Sequence, residues 1–342
     1  MRNLLATLQK IIPDGILGLE RRYKILKTIM YSEPIGRRVL SANLNISERI
    51  IRSETDFLKK NGFIKVSCLG MEITLEGKNI VCNLENLIHE LKGFSELEKK
   101  VAKILDIPKV VIVLGDADKD EIVKKDIGKA TARIFENIIQ ENSTIALTGG
   151  TTVSNIIEAI KTNNTYENAF VLPARGSIGN KVEYQSNTLT SQLAQKLGAK
   201  YRLLNIPDNL SKKSLESISK EPEIQDILKK VSKTDILIFG IGNAIKMARR
   251  RKVPEAILDF LKRKQAVGEA FGYYFNSEGE IVYASRSIGI RLEDIKKIPY
   301  KIAAAGGKSK AEAIKSIRHL LKDGCIVIDE GAANEIIKDF KD

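Results

Sequence analysis

The chain has 342 residues, which suits two domains with a sizeable core in each, and its 43% hydrophobic and 29% charged residues are ordinary globular usage. That composition excludes disordered, fibrous and low-complexity classes, and no uncharged apolar run reaches the roughly 18 residues of a membrane-spanning helix. A net charge of +13 suits a polyanionic or phosphorylated partner and is silent on fold.

The opening apolar stretch from Leu4 to Ile12 is broken by Gln9 and Lys10 and stops at Pro13. It reads as a short helix, and with no small-residue cleavage site behind it no secretory leader is predicted. Cys68, Cys82 and Cys325 show no C-x-x-C spacing and read as reduced thiols, so no disulfide or metal cluster is expected and the protein is placed in the cytosol.

Residues 21 to 78 hold three helical patterns and two short strand-like pieces. The first helix packs through Ile25, Leu26 and Ile29. Pro34 turns the chain into a second that packs through Val39, Leu40 and Leu44. Ser47 is placed to N-cap a third, with an apolar stripe of Ile50, Ile51, Phe57 and Leu58. Three helices and a β-ribbon make a winged helix-turn-helix pattern, in which the third helix enters the major groove by its N-terminal residues. Its exposed early positions beside Ser47 are Glu48, Arg49, Arg52 and Ser53. Arg49 and Arg52 each offer a fork to a guanine edge, Glu48 an acceptor for a cytosine amino group, while Arg37 and Arg38 are placed to hold phosphates. From Arg21 to Lys65 the segment carries 11 basic and 4 acidic residues, so the excess positive charge is local. A protein-interaction module with a solvated basic face is the competing reading.

From Ile80 to Ile104 apolar residues recur at three- and four-residue steps, an amphipathic helix pair interrupted around Gly93. It is read as a dimer seam, with burial against its own domain as the alternative. Beyond residue 108 the character changes. Short apolar runs, KVVIVLG, STIALTGG, AFVLPARG, YRLLNIP, TDILIFGIG, KIAAAGG and CIVIDEG, alternate with helical patterns, as expected of a mainly parallel sheet buried on both faces. The organisation expected is residues 1–78 as the DNA-binding domain, 79–107 as linker or dimerisation helices and 108–342 as a Rossmann-like α/β domain.

Two strand-to-helix turns in that domain read as phosphate cradles. Gly149, Gly150, Thr151 and Thr152 bring backbone N–H groups, two hydroxyls and a helix start together, and Gly306, Gly307, Lys308, Ser309 and Lys310 repeat the arrangement. Arg175 and the run Arg249 to Arg251 are the charged partners available. Competing motifs fail. A P-loop needs Gly where Ile302 stands, Gly240-Ile241-Gly242 lacks the third small residue of a dinucleotide fingerprint, and Asp116, Asp118 and Asp120 lack the Gly and Glu of a calcium loop. His89 and His319 lie outside the Gly-rich turns, and Asp329 and Glu330 read as helix caps rather than as acid and base. No catalytic constellation is predicted.

The stretches EPIGRRVLSANLNISER, LTGGTT, LPARG, GIGNAIKMARRR, EAFGYYFN and AGGKSKAEAI resemble the SorC family of sugar-binding transcriptional regulators, in its branch acting on glycolytic operons, over nearly the whole length. The resemblance implies a body akin to glucosamine-6-phosphate deaminase and ribose-5-phosphate isomerase, used to sense a sugar phosphate. It implies fructose 1,6-bisphosphate as inducer and no cofactor. The implied ligand residues are Gly149, Gly150, Thr151, Thr152, Arg175, Gln185, Arg250, Arg251, Glu269 and Lys310, with Glu269 accepting from sugar hydroxyls. Operator DNA is the implied partner, bound by dimers and tetramers whose cooperative contact the ligand weakens. The alternatives are a SorC regulator answering a mono-phosphorylated sugar, and a phosphosugar isomerase or deaminase with a DNA-binding head.

Overall fold

The computed structural model describes residues 7, 10–176, 181–206, 211–338 and 340. Leu4, Leu5 and Leu8 of the expected opening helix lie outside the described residues, while Ile11 and Ile12 are exposed. The chain divides into two compact units, Met1–Leu97 and Glu98–Asp342. Among the described residues no helix is long and apolar enough to cross a membrane.

The first unit contains α1 (Pro13–Ser32), α2 (Arg37–Leu44), α3 (Glu48–Lys60), the hairpin β1 (Ile64–Ser67) and β2 (Gly70–Ile73), and α4 (Leu75–Leu91). The strands pair antiparallel with Ser67 opposite Gly70, and Ile35 bridges Met71, tying the turn before α2 to the wing. Gly70 has φ +139°, and a Cβ there would stand 2.9 Å from the Ile35 backbone nitrogen, so the close approach requires glycine. Ile25, Leu26, Ile29, Leu40, Ile51 and Leu58 form the core. Ile50 and Phe57 from the expected α3 stripe are 39% exposed, and Val39 is 54% exposed. Glu54 and Thr55 take the buried places instead, because arginines of α1 and α2 reach over to pair with this face. Ser47 holds the N-cap position with extended backbone, but its side chain makes no capping hydrogen bond.

Helix α4 starts four residues before the boundary expected at residue 79, because Thr74 caps it by accepting from Gly77 N at 3.0 Å. Val81, Ile88 and Leu91 are buried and α4 packs on α1, so part of the stripe read as a dimer seam serves its own unit. The next helix, α5 (Phe94–Leu105), carries the chain across the division.

The second unit is a seven-stranded sheet in the order β3-β13-β12-β7-β4-β5-β6, parallel throughout. Its strands are β3 (Lys109–Val113), β4 (Thr144–Leu147), β5 (Phe170–Pro173), β6 (Lys200–Tyr201), β7 (Ile236–Gly240), β12 (Tyr300–Ala304) and β13 (Cys325–Asp329). Each overlaps one of the seven apolar runs, though β6 shares only Tyr201 with the run YRLLNIP and is a two-residue edge strand. Between β7 and β12 the chain builds a second, antiparallel sheet, β11-β10-β9-β8, from β8 (Gly242–Asn243), β9 (Gly268–Ala270), β10 (Tyr273–Phe275) and β11 (Ile281–Ala284).

The helices follow as α6 (Glu121–Glu136), α7 (Thr151–Ala159), α8 (Ser186–Leu197), α9 (Lys212–Ile218), α10 (Pro222–Val231), α11 (Ala244–Arg250), α12 (Glu255–Arg263), α13 (Leu292–Ile295), α14 (Ala311–Ser316) and α15 (Glu330–Lys338). Ile127, Phe135, Ile156, Leu189 and Leu193 of α6, α7 and α8 close one face of the sheet over Ile145, Leu147 and Ile238. Burying such a side chain contributes about 1.5–3 kcal/mol, enough to fix the sheet as the frame of a site. From β4 the chain winds outward to β5 and β6, then returns to place β7 on the other flank of β4. That reversal is a topological switch point, and the crevice between the carboxyl ends of β4 and β7 is where an open α/β sheet takes a ligand.

Candidate functional site

A cleft of about 370 Å3 opens at that crevice. The turn after β4 supplies its anion-binding side. Gly149 passes so close to the 182–185 segment that a Cβ would stand 2.6 Å from the Tyr184 carbonyl oxygen, and Gly150, at φ +124°, donates its N–H to the same carbonyl at 2.8 Å. Helix α7 makes its first turn bond from Ser154 N to Gly150 O, and the N–H groups of Thr151, Thr152 and Val153 take no acceptor among the described residues. These donors and the positive end of the helix dipole face the cleft.

The lining gathers Lys124, Arg175, Lys246, Arg250, Arg251 and Lys310 against the carboxylates Asp118 and Glu269. All the sequence-predicted effector residues line the cleft except Gln185, which sits half-buried at the head of α8 between two lining residues, Tyr184 and Ser186. Lys124 on α6 and Lys246 on α11 were not predicted. Burial first, and then the neighbouring Lys124 charge, lower the Lys310 amine to about 8 against the opposing pull of Asp118 and Asp329.

The second predicted cradle is closed. Gly307 N donates to Asp329 Oδ2 at 2.6 Å, Lys308 N to Asp116 Oδ1 at 3.3 Å, and Ser309 N to Asp118 Oδ2 at 2.7 Å. Ser309 Oγ donates to Asp118 Oδ1 at 2.9 Å. Protein carboxylates thus hold the places a phosphate would need, and of this loop Lys310 is what offers charge to the cleft. Asp329 is fully buried; its Oδ1 caps α15 through Ala332 N, as predicted, and its Oδ2 also accepts from Ala117 N at 2.7 Å. Burial pushes its carboxyl up, while the three backbone donors hold it down.

At the opposite wall, Glu269 organises two arginines. Its Oε1 accepts from Arg251 Nη2 at 2.6 Å and from Gly272 N at 2.7 Å, with Arg175 Nη1 at 4.0 Å. Arg175 and Arg251 both reach Ser285 Oγ at 3.4 Å. Glu269, expected as an acceptor for sugar hydroxyls, has Oε1 engaged in orienting guanidinium groups. Arg251 stands 5.9 Å from the Tyr274 ring, whose hydroxyl burial pushes up to about 12, so it stays neutral.

In the first unit, Glu48, Arg49, Arg52 and Ser53 project exposed from the start of α3 and β1–β2 forms the wing. Arg38 is 90% exposed and stands 3.9 Å from Glu48. Arg37, expected to hold a phosphate, also has partners within the unit: its Nε donates to Thr55 Oγ1 at 3.2 Å and its Nη2 pairs with Asp56 at 2.5 Å. Two basic residues one apart on a helix point about 100° apart, which turns Arg37 toward α3 and leaves Arg38 in solvent.

Comparison with known proteins agrees with both halves. Residues 19–88 match the CggR N-terminal DNA binding domain family and residues 89–338 a sugar-binding domain family. The central glycolytic genes regulator of Priestia megaterium is 40% identical over 341 residues, covering 99% of this chain and all of the relative. That of Bacillus subtilis is 38% identical over 339 residues with the same coverage. Among solved structures, a SorC family transcriptional regulator from Enterococcus faecalis superposes with a TM-score of 0.66 at 36% identity, over 71% of this chain and all of that one. The full-length sorbitol operon regulator SorC from Klebsiella pneumoniae, at 18% identity, shares the fold with a TM-score of 0.65 over 93% of this chain and 98% of its own. A DNA-binding head, a sugar-binding body and full-length likeness to named regulators place the chain in the SorC family, among the central glycolytic genes regulators, as a transcriptional regulator and not an enzyme.

Proposed function

We propose that the protein represses a glycolytic operon and that fructose 1,6-bisphosphate, bound in the cleft at the ends of β4 and β7, releases it. The observation that carries this reading is the cleft's charge. Its described lining holds an excess of four positive charges, and each phosphate ester carries about −1.5 to −2 at neutral pH, so two phosphates match it and one does not. One phosphate takes the N–H groups of Thr151 to Val153; the other is left to side chains such as Lys310, Arg250 and Arg251. Repression rests on dimers and tetramers assembled on the operator, and the ligand weakens their cooperative contact by binding the released state more tightly.

A mono-phosphorylated sugar is the second reading, favoured by the closure of the Gly307–Ser309 loop by carboxylates. A thermal shift with fructose 1,6-bisphosphate beside fructose 6-phosphate separates the two. The bisphosphate is expected to give a much larger rise in Tm, and equal shifts would sink the bisphosphate reading. Thr152→Ala and Arg250→Ala are each expected to bind operator and ignore the sugar; normal induction in both variants would remove the site.

A further inference from the structure

Residues 54 to 57 of α3 carry an ionic arrangement that groove contact does not require. Glu54 is buried, its side chain 10% exposed, and it takes Arg22 Nε at 2.7 Å and Arg21 Nη1 at 3.3 Å, both from α1. The Arg22 guanidinium also lies 3.6 Å from the centre of the Phe57 ring, so Arg22 touches α3 at two successive turns. From α2, Arg37 forks onto Thr55 and Asp56. Three guanidinium groups from the two preceding helices therefore converge on residues 54 to 57.

We infer that Glu54 and Asp56 are positioning residues of the DNA interface, and that Arg21, Arg22 and Arg37 set the angle of α3 in the groove instead of contacting phosphates. A guanidinium fork fixes direction as well as distance, which a lysine cannot do. Arg49, Arg52 and Ser53 lie on the same rigid helix, so a small rotation at residues 54 to 57 displaces every base contact. The segment's basic excess thus overstates its phosphate contacts, since these three arginines are engaged by side chains of α3.

The test is the salt dependence and the selectivity of full-length protein binding to a duplex it selects from a random pool, against a scrambled duplex of equal length. Removing one bond to a phosphate lowers the slope of log affinity on log salt by about 0.9. Arg38→Ala is expected to do so with selectivity retained. Arg37→Ala and Glu54→Gln are expected to leave the slope unchanged and lower the selected-to-scrambled ratio about tenfold or more, the scale of one misread base pair. Asp56→Asn, at a side chain 58% exposed, keeps the unit folded and carries the same expectation. A slope lowered by Arg37→Ala with its ratio intact would make Arg37 a phosphate contact. Equal loss on both duplexes for Glu54→Gln and Asp56→Asn would show a purely structural role, and either result overturns the inference.

Discussion

The turns after β4 and β12 read alike in sequence, two glycines followed by hydroxyl or basic residues and a helix, yet they differ as sites. After β4 the N–H groups of Thr151, Thr152 and Val153 stay open to the cleft. After β12 those of Gly307, Lys308 and Ser309 are taken by Asp329, Asp116 and Asp118. The difference lies in the neighbouring loops. The Gly149 turn lies against a carbonyl, Tyr184 O, which takes one N–H and leaves the rest; the Gly307 turn lies against three carboxylates, which take all it offers. A Gly-rich strand-to-helix turn is therefore an anion site only where no acid from another strand end reaches it first.

The contrast is sharpest under Gly149→Ala. The added Cβ would stand 2.6 Å from a backbone oxygen, an atom that cannot swing aside, so the turn must move and carry its donors out of register. We expect loss of stabilisation by fructose 1,6-bisphosphate in thermal melts, about 2.7 kcal/mol when the ligand is at a hundredfold excess over Kd. Retained stabilisation would mean that the open turn is not the phosphate site.

A smaller effect is expected from pH, because the loop after β12 still contributes Lys310. Its amine titrates near 8 rather than the usual 10.5, and phosphate binds the ammonium form. Effector affinity should therefore fall by up to roughly tenfold between pH 8 and 9, and Lys310→Met should lose that dependence in a binding titration. Folding stability moves in the opposite sense. A lysine whose folded pKa is lowered weighs against the fold below about 8, where both states are charged, and that penalty is relieved as pH rises from 8 toward 10.5.

The five inner strands β4, β5, β7, β12 and β13 were legible because they are buried on both faces and so read as nearly unbroken apolar runs, while the edge strand β6 is exposed and only two residues long. The antiparallel sheet β8–β11 was not legible, since its strands span two to four residues and are interrupted by glycines. Most of the cleft was legible through its turns, which concentrate glycine and arginine locally. Lys124 sits on a helix with no local mark, and Lys246, though inside the stretch GIGNAIKMARRR, was passed over for the arginines that follow it; the packing of α6 and α11 around the switch point brings both to the cleft. The closure of the second turn was out of reach for a similar reason: Asp118 and Ser309 are 191 residues apart, and Asp118 stood out locally only in a calcium-loop pattern that fails. The partner of Arg37 was out of reach because composition counts its charge without showing that Asp56 faces it from the next helix.

The smallest expected effect tests whether the closed turn stays closed. Ser309 is exposed and gives Asp118 two hydrogen bonds, from N at 2.7 Å and from Oγ at 2.9 Å. Ser309→Ala removes the second and leaves the first, so Asp118 keeps its place over the loop. At a solvated site one of two such bonds contributes about 0.5–1 kcal/mol, and the melting temperature should fall by no more than about 4 °C. Effector affinity should change by less than about twofold, because the lost hydroxyl addresses a carboxylate of the protein and not the ligand. A loss of about tenfold in affinity at unchanged stability would show the hydroxyl on a ligand phosphate. Asp118 must then yield the loop when ligand arrives, and the two turns differ in occupancy before binding but not in function.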